Sequence, residues 1–412
     1  MSASRPDPWD WRELLRERIQ LVAPAVQVPL AEAAGRLLAA ELRSPEDVPA
    51  LAMSAMDGFA VRRSELTAPG ESVLPVSGDL PARPGDAVQL PLGHALRIMT
   101  GAPVPRGADA VIPVEDTDAD PFGPSPGRVT IRSSATVPPL RHIRTPGEEI
   151  ARGEVLAARG ERIGAGLIGL AATLGLGALP VRERLRVGVV VTGDELVGGG
   201  APGVPGDAAP ADGAIRESNG TMLAAALAEE GARPRVRSSS DDPGELLRVL
   251  EQMADCDLVI TTGGIGHGAY DVVRSALGPR GAGTSRFEHL ALRPGGPQGC
   301  GRLPGGTPVV HLPGTPVGAL VGYHLFVRPL LPGAEAAPVP ARLGTLPDGG
   351  AQRRARPGLL AQPGRLRRGP EGAAVVDLLA GRRLAPYGRA DAMVLQDGGA
   401  ANPGDPVLVI AL

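Results

Sequence analysis

Three apolar segments of this chain each run directly into a loop of glycine, hydroxyl and acidic residues. LRVGVVV leads into TGDE (192–195), DLVI leads into TTGGIGHG (261–268) with Asp271 just beyond, and VVHL leads into PGTP (313–316). Glycines let backbone N–H groups approach an anion closely, and a following helix adds its positive end. These loops therefore predict a site for a phosphorylated ligand.

Acidic residues accompany these loops, and they would repel a phosphate unless a cation lay between them. Glu195, Asp241, Asp242 and Asp271 form this acidic set. Oxygen ligands beside phosphate are typical of Mg²⁺ sites. The combination therefore predicts a Mg²⁺–phosphate site.

Each feature also has a purely structural interpretation. Asp194 and the pair Asp241-Asp242 fit the N-terminal caps of helices, and acids stabilise a first helical turn. Gly263 and Gly264 fit a tight turn between a strand and a helix. The convergence of three such loops favours a ligand site, but Asp241 and Asp242 remain open between the two roles.

The pattern of apolar residues predicts a multidomain α/β plus β protein. Apolar strands alternate with helices over 179–330, which is typical of a doubly wound parallel sheet. In such sheets ligands bind beyond the carboxyl ends of the strands. Around this domain we expect a helical linker domain over 8–43 and 139–178, an inserted β domain over 44–138 and a C-terminal, barrel-like β domain over 333–412. Residues 198–213 form a predicted flexible insertion.

Composition restricts the class of protein further. The 412 residues carry a net charge of −3, which gives no reason to expect a nucleic-acid partner. Two cysteines are too few for a disulfide framework. Since no apolar signal segment or stretch of about 18 apolar residues is present, we expect a cytoplasmic protein without a membrane partner.

The order and spacing of longer motifs carry a resemblance. The motifs are MSAMDGFAV (53–61), RIMTGAPVP (97–105), ADAVIPVED (108–116), RTPGEEI (144–150), VVVTGDEL (189–196), SNGTML (218–223), DLVITTGGIGHGAYD (257–271), LALRPGGP (290–297) and HLPGTPVGAL (311–320). Together they resemble the molybdopterin molybdenumtransferase family, MoeA and the gephyrin E-domain, across nearly the whole chain.

The resemblance implies an elongated homodimer of four-domain subunits. The family hydrolyses adenylylated molybdopterin in the presence of molybdate and Mg²⁺, inserts molybdenum into molybdopterin and releases AMP. The molybdopterin adenylyltransferase is an implied partner.

By similarity, Asp57 and Thr100 of the β domain would face the α/β-domain acids of the other subunit. Those catalytic acids would be Glu195, Asp271 and either Asp241 or Asp242, and Glu195 and Asp271 would hold Mg²⁺. The implied substrate-binding residues are Ser218, Asn219, Gly263, Gly264, Gly266, Gly268, His289, Arg293, Pro294, Gly295, Pro313, Gly314, Thr315 and Pro316. His267, inside the glycine loop, is a further candidate for contact with the ligand.

The anion-binding positions depart from the family pattern. The family's lysine-rich KLAIKPGKP reads HLALRPGGP here, so that Arg293 alone keeps a permanent charge and His289 and Gly296 replace lysines. Gly266 stands where the family has serine. These losses keep open a second interpretation, a divergent paralogue that binds molybdopterin as a carrier or regulator without turnover. A nucleotide-dependent enzyme using only the α/β domain would leave the β-domain motifs unexplained.

Overall fold

The computed structural model describes residues 5–67, 69–83, 88–133, 135–198, 213–266, 268, 271–334, 337–347, 357–369, 372–381, 383–398 and 402–412. Most of the predicted insertion at 198–213, and His267, lie outside the described residues. The chain divides into two compact units. The first contains Met1–Gln27, Gly35–Ala39 and Pro180–Leu412, and the second contains Val28–Ala34 and Ala40–Leu179.

The helices and strands of the described residues follow in chain order. The first half contains α1 (Pro8–Arg18), β1 (Ala25–Pro29), α2 (Leu30–Ala33), β2 (Leu42–Arg43), β3 (Met53–Ser54), β4 (Gly58–Val61), β5 (Gly70–Leu80), β6 (Ala95–Ile98), β7 (Ala110–Pro113), β8 (Arg128–Ser133), β9 (Ile143–Arg144), β10 (Val155–Ala157), α3 (Ala165–Thr173) and β11 (Ala178–Arg182). The second half contains β12 (Arg186–Thr192), β13 (Leu196–Val197), β14 (Ile215–Arg216), α4 (Asn219–Glu229), β15 (Arg233–Ser239), α5 (Pro243–Glu251), β16 (Leu258–Thr262), α6 (Val272–Leu277), β17 (Ser285–His289), β18 (Leu292–Arg293), β19 (Pro297–Arg302), β20 (Pro308–Leu312), α7 (Pro316–Gly322), β21 (Val339–Leu343), β22 (Leu359–Arg368), β23 (Ala374–Leu378), α8 (Leu384–Tyr387), β24 (Ala392–Asp397) and β25 (Pro406–Ala411).

The second unit contains a five-stranded sheet in the order β7-β4-β6-β5-β8. Its core is small and aliphatic, with Phe59, Ile112 and Ile131 almost completely buried. Two short antiparallel pairs, β2 with β10 and β3 with β9, lie in the same unit. The segment predicted as an inserted β domain thus contains strands and two short 3-10 helices, with no α-helix among its described residues.

The first unit is built on a six-stranded sheet in the order β15-β12-β16-β20-β19-β17. The first four strands are parallel, and β19 and β17 continue the sheet through antiparallel pairings, β19 with β20 and β17 with β19. The four parallel strands are those that the apolar pattern predicts. The two antiparallel strands were not predicted, because PQGCGR and SRFEH have neither the apolar run nor the clear alternation of a half-buried strand.

Both faces of this sheet are covered, which is why its strands are apolar throughout. Val187, Val189 and Val191 of β12 belong to one core cluster, which also contains residues of α1, α4 and α7. Val190 points the other way, into a second cluster with residues of α5 and α6. Because successive side chains of a strand point to opposite faces, the sheet is doubly wound and the predicted fold class is confirmed.

A small β-barrel completes the first unit. Strands β22-β23-β21-β25-β24 form a sheet whose end strands, β22 and β24, also pair with each other. Pairing of the end strands closes the sheet and leaves no free edge within it. Val376, Val394 and Val409 fill its interior, and the predicted C-terminal barrel is confirmed.

The predicted helical linker is shorter than expected from the sequence. Within residues 10–43 the helices are α1 and the four-residue α2, and β1 lies between them. Helix α1 already ends at Arg18, and because Pro24 has no N–H to donate and valine favours strands, AVQVP continues as a strand. Helix α1 groups with the first unit, where Trp11 and Leu15 enter the core of the parallel sheet. The four-domain division drawn from the sequence stays a prediction.

No helix among the described residues is long and apolar enough to cross a membrane.

Candidate functional site

A cavity of about 760 Å³ lies at the carboxyl ends of β12, β16 and β20. Its lining contains three of the predicted acids and most of the predicted substrate-binding residues. The predicted residues in the wall are Glu195, Asp241, Asp271, Ser218, Asn219, Gly263, Gly264, Gly266, Gly268, Gly295, Pro313, Gly314, Thr315 and Pro316. The three loops that the sequence singled out thus meet in one place, as expected for the carboxyl edge of a parallel sheet.

The glycine loop after β16 folds around the carboxylate of Asp271. Its Oδ1 accepts a hydrogen bond from the N–H of Gly266 at 2.8 Å, and its Oδ2 accepts one from the N–H of Gly268. Gly263 and Gly264 have φ of +97° and +64°, which favour glycine over other residues. Asp271 therefore shapes the loop, and this role is compatible with a position beside a metal.

The loop after β12 places a second carboxylate in the cavity wall. A Cβ added to Gly193 would lie 2.8 Å from Oε2 of Glu195, so the glycine leaves room for that side chain. The neighbouring Asp194 accepts a hydrogen bond at 3.0 Å from the N–H of Asp241. Asp194 thus has a structural role, and Glu195 is exposed to the cavity.

The acids of this edge act on one another through their charges. Partial burial raises the pKa of Asp241, and the negative charges of Asp194, Glu195 and Asp271 raise it further, against a hydrogen bond that lowers it. Like charges held this close are stabilised by a cation.

The acids of the cavity wall have the oxygen ligands that a Mg²⁺ ion prefers. Among the described residues, no three His, Cys, Asp or Glu side chains lie close enough to form a complete metal site. Mg²⁺ commonly binds through one or two carboxylates, with the remaining oxygens coming from water and a substrate phosphate. Glu195, Asp241 and Asp271 supply hard oxygen ligands in the wall of one cavity. The acids fit an ion that binds together with its substrate.

Asn219 joins the ends of the strands below the cavity. Its Nδ2 donates to Oγ1 of Thr262 and to the carbonyl oxygen of Gly314, both at 2.8 Å. The hydroxyl of Thr262 in turn donates to the carbonyl oxygen of Pro313 at 2.9 Å. The network fixes the loop after β20 against the end of β16, so that the predicted residue Asn219 positions the wall of the site.

Three side chains in the cavity wall each keep one buried oxygen without a hydrogen-bond partner among the described residues. These atoms are Oγ1 of Thr192, Oε2 of Glu217 and Oδ1 of Asn219. A buried polar atom without a partner costs about 1–3 kcal/mol, so such atoms are uncommon in folded proteins.

Arg216 and Glu217 also line the cavity, and the sequence did not single them out. Thr192 lines it as well; it belongs to the predicted loop TGDE but was not among the named site residues. Arg216 and Glu217 directly precede the SNG motif, and their charges next to a helix start were the available signal. Arg216 contributes a positive charge to the described wall of the cavity. The replacement of two family lysines by His289 and Gly296 had left open whether the site has enough positive charge for an anion.

Four of the site residues predicted in the α/β domain are absent from the described cavity wall. The Oδ1 of Asp242 accepts a hydrogen bond from the N–H of Glu245 at 2.7 Å and caps α5, which supports the helix-cap interpretation, and a catalytic role of this residue stays a prediction. His289, Arg293 and Pro294 are also absent from the described wall, although Gly295 belongs to it. His289 ends β17 opposite Pro297, and its Nε2 is 2.8 Å from a Cβ built on Gly296.

Asp57 and Thr100 form a pair in the second unit. The Oδ1 of Asp57 accepts hydrogen bonds from the backbone N–H and the hydroxyl of Thr100, at 2.6 and 2.7 Å. These bonds lower the pKa of Asp57, because they favour its charged form. The structure thus brings the two predicted residues together, and their place opposite a second subunit stays a prediction.

Fold and site together define a doubly wound α/β protein, with a glycine-rich, acid-lined cavity at the carboxyl ends of its parallel strands. Comparison with known proteins gives the family. Residues 10–175 match the MoeA N-terminal region (domains I and II), and residues 188–333 match the probable molybdopterin binding domain.

Relatives of known name agree with both matches. Molybdopterin molybdenumtransferase 2 of Mycobacterium tuberculosis is 43% identical over 326 residues, 77% of each chain. The molybdopterin molybdenumtransferase of Synechococcus elongatus is 36% identical and covers 77% of each chain. A crystal structure of the molybdopterin biosynthesis MoeA protein from Pyrococcus horikoshii superimposes with a TM-score of 0.80 at 25% identity, covering 99% of each chain. The chain belongs to the molybdopterin molybdenumtransferase family.

Proposed function

We propose that this chain inserts molybdenum from molybdate into adenylylated molybdopterin, with Mg²⁺-dependent release of AMP. As a member of its family, the chain is a transferase of molybdenum cofactor biosynthesis. The finer proposal rests on one observation: glycine loops and carboxylates line the same cavity at the carboxyl edge of the sheet. The backbone N–H groups there would donate hydrogen bonds to phosphates, and the carboxylates would bind the cation that accompanies the phosphates.

The phosphates of the substrate are assigned to the positive features of the cavity. These are the guanidinium group of Arg216, the N-terminus of the eleven-residue helix α4 and the backbone of the glycine loop. Each stabilises an anion without a change in protonation. The molybdate dianion is assigned to the same side, with Arg293 and His289 as neighbouring candidates from the family resemblance.

Mg²⁺ is assigned to Glu195 and Asp271. In the described part of the chain the Glu195 carboxylate makes no side-chain hydrogen bond, so its oxygens are available to a metal. Asp271 holds the glycine loop and leaves further lone pairs on its oxygens. The ion would offset the charge on the phosphoanhydride and favour departure of AMP.

A single-turnover assay with adenylylated molybdopterin, Mg²⁺ and molybdate tests the proposal through the release of AMP. Glu195→Gln and Asp271→Asn keep the side-chain shape and remove the charge, and we expect AMP release to fall by more than about a hundredfold in each. Glu229→Gln, exposed at the end of α4, is the matched control and should keep full activity. Full activity in both site variants would remove the metal assignment.

A homodimer completes the proposed site, with Asp57 and Thr100 of one subunit opposite the acids of the other. Asp57→Asn and Asp271→Asn should each be inactive alone. After mixing and subunit exchange, about a quarter of the sites should be intact, because half of the dimers are mixed and each has one complete site. No recovery, or a stable monomer in light scattering, would contradict the shared site.

The proposed setting of the reaction follows from its substrate. Adenylylated molybdopterin is the product of an adenylyltransferase, so we place that enzyme as a partner and both proteins in the cytoplasm. A pull-down of the adenylyltransferase with the full chain, and its loss on addition of excess substrate, tests the partnership.

A further inference from the structure

Two residues of the second unit hold a backbone conformation that normally belongs to glycine. Leu140 and His142 have φ of +57° and +55°, and in the described part of the chain no other residue except glycine has a positive φ. Both belong to one turn, which is closed by the N–H of Ile143 donating to the carbonyl oxygen of Leu140 at 3.0 Å. A positive φ is unfavourable for a residue with a side chain, because its Cβ crowds the following carbonyl oxygen.

The backbone of this turn bonds to two different segments of the unit. The carbonyl oxygen of Arg141 accepts a hydrogen bond from the N–H of Val111, in strand β7, at 2.9 Å. The next carbonyl oxygen, that of His142, accepts one from the N–H of Ala55, also at 2.9 Å. The left-handed turn thus connects β7 with the segment that follows β3.

The segment bonded to His142 leads directly to Asp57. Ala55 lies two residues before this carboxylate. On the other side, the carbonyl oxygen of Asp57 accepts a hydrogen bond from the N–H of Val114 at 3.1 Å, and its side chain is held by Thr100. The bond from Ala55 to His142 therefore supports the Asp57 loop on its N-terminal side.

Burial of the two side chains does not compensate the strain. The side chain of Leu140 is exposed, with 51% of the residue's surface accessible, and His142 is only half-buried. A strained backbone persists where the surrounding structure fixes it, and such residues cluster at functional sites. What the conformation secures here is the position of the main chain that bonds to Ala55.

We propose that Leu140 and His142 are positioning residues for Asp57, and that they act through their left-handed backbone and not through their side chains. The turn holds the carbonyl oxygen of His142 against the N–H of Ala55, which fixes the loop of Asp57 before substrate binds. A reacting group that is misplaced by about 1 Å can lose on the order of a hundredfold in rate. The inference rests on the proposed function, which assigns Asp57 to the reaction.

Substitutions at His142 separate the backbone from the imidazole. Asparagine and glycine accept a positive φ, whereas valine is β-branched and tolerates it least. His142→Asn and His142→Gly should keep single-turnover AMP release within about threefold of the parent, and His142→Val should lower it about tenfold or more. His142→Ala, a milder change, should lie between them. Leu140→Gly removes strain, and it should keep AMP release and leave the thermal midpoint unchanged or raise it.

Hydrogen exchange at the Ala55 amide is a readout that a general loss of stability does not reproduce. In His142→Val exchange should be about tenfold faster or more, because the bond to the carbonyl oxygen is lost, and in His142→Asn it should stay at the parent rate. Gly175→Val is the matched control, since Gly175 lies in the same unit with φ of +69° and open space around an added Cβ. It should lower the thermal midpoint, as His142→Val does, and keep parent values for Ala55 exchange and AMP release.

Three results would overturn the inference. Loss of AMP release in both His142→Asn and His142→Gly would assign the role to the imidazole. Parent exchange at Ala55 in a folded His142→Val or His142→Ala would show that the turn does not hold the loop. Faster exchange in these variants with full AMP release would show that the held loop does not matter for the reaction.

The proposed function is judged separately, by AMP release in the parent chain. A parent that releases no AMP would contradict the proposed turnover. Exchange at Ala55 that still follows the tolerance of residue 142 for a positive φ would, in the same experiment, support the control of the Asp57 loop by the turn.

Discussion

Gly263 lies where the three loops of the cavity come closest, and replacing it with alanine should damage both stability and activity. Its φ is +97°, and an added Cβ would lie 2.7 Å from the carbonyl oxygen of Thr192 and 2.8 Å from Oγ1 of the same residue. The carbonyl oxygen belongs to the backbone of β12, which is paired on both sides in the sheet, so it cannot move aside at low cost. The methyl group must displace the strand end or the glycine loop.

The magnitude follows from two separate contributions. A left-handed backbone costs a non-glycine residue about 1–2 kcal/mol. The contact with a fixed backbone atom adds about 1–3 kcal/mol, as overpacking does in protein cores. We therefore expect Gly263→Ala to lower the free energy of unfolding by roughly 2–5 kcal/mol, and to reduce AMP release because the loop that carries Gly266 and Gly268 is displaced.

Gly231→Ala is the matched control for this prediction. Gly231 follows α4, has φ of +83° and has open space around an added Cβ. It should cost only the backbone contribution, about 1 kcal/mol, and leave AMP release unchanged. Urea unfolding and single-turnover AMP release of both variants are the assays. Equal loss of stability in the two, with full activity in Gly263→Ala, would refute the reasoning.

Three further predictions follow from the site and the core. Asp242→Ala should lose the helix cap, which costs about 1 kcal/mol of stability, and should keep AMP release. Asp241→Asn should lower AMP release. If Asp242→Ala lowered AMP release and Asp241→Asn did not, the two residues would have the opposite roles. Arg216→Ala should raise the KM for adenylylated molybdopterin about tenfold. Arg216→Lys keeps the charge and should bring the KM part of the way back to the parent value. An unchanged KM in Arg216→Ala would mean that the phosphates bind elsewhere. Burial lowers the pKa of His324 to about 3, whereas the pKa of an unfolded histidine is about 6.5. Between these two values the unfolded state binds one more proton than the folded state. The folded state therefore loses stability as the pH drops from about 6.5 towards about 3. Urea midpoints should show a slope that His324→Gln makes shallower by about 1.4 kcal/mol per pH unit, and an unchanged slope would mean that the folded state protonates the histidine as readily as the unfolded state.

The sequence predicted the parallel sheet well because burial on both faces demands continuous apolar strands. Apolar runs such as LRVGVVV and DLVI are typical of strands that are buried on both faces. The glycine-rich loops that follow these strands lie at the same edge of the sheet, as a parallel topology requires. The antiparallel pair β17 and β19 was not predicted. Gly299 and Gly301 interrupt the apolar pattern, and these strands form because they pair with each other in the folded protein.

Within the site, the sequence could identify loops but not the direction of single side chains. Asp241 and Asp242 are adjacent and equally acidic, and only the structure shows that Asp242 caps α5 while Asp241 lines the cavity. Glu217 was overlooked because a lone acid before a helix is usually a capping residue, and one of its oxygens does have that role. The unpaired second oxygen becomes visible only with the surrounding atoms in place.

The most direct test of the account is the transfer of molybdenum itself. The chain, adenylylated molybdopterin, molybdate and Mg²⁺ are incubated together, and the product is added to a molybdoenzyme prepared without its cofactor. We predict that the molybdoenzyme becomes active only in the complete mixture, in step with AMP release, and that Glu195→Gln removes both signals. Tight binding of molybdopterin by the parent chain, with neither AMP release nor activation of the acceptor enzyme, would contradict the account and identify a carrier or regulator.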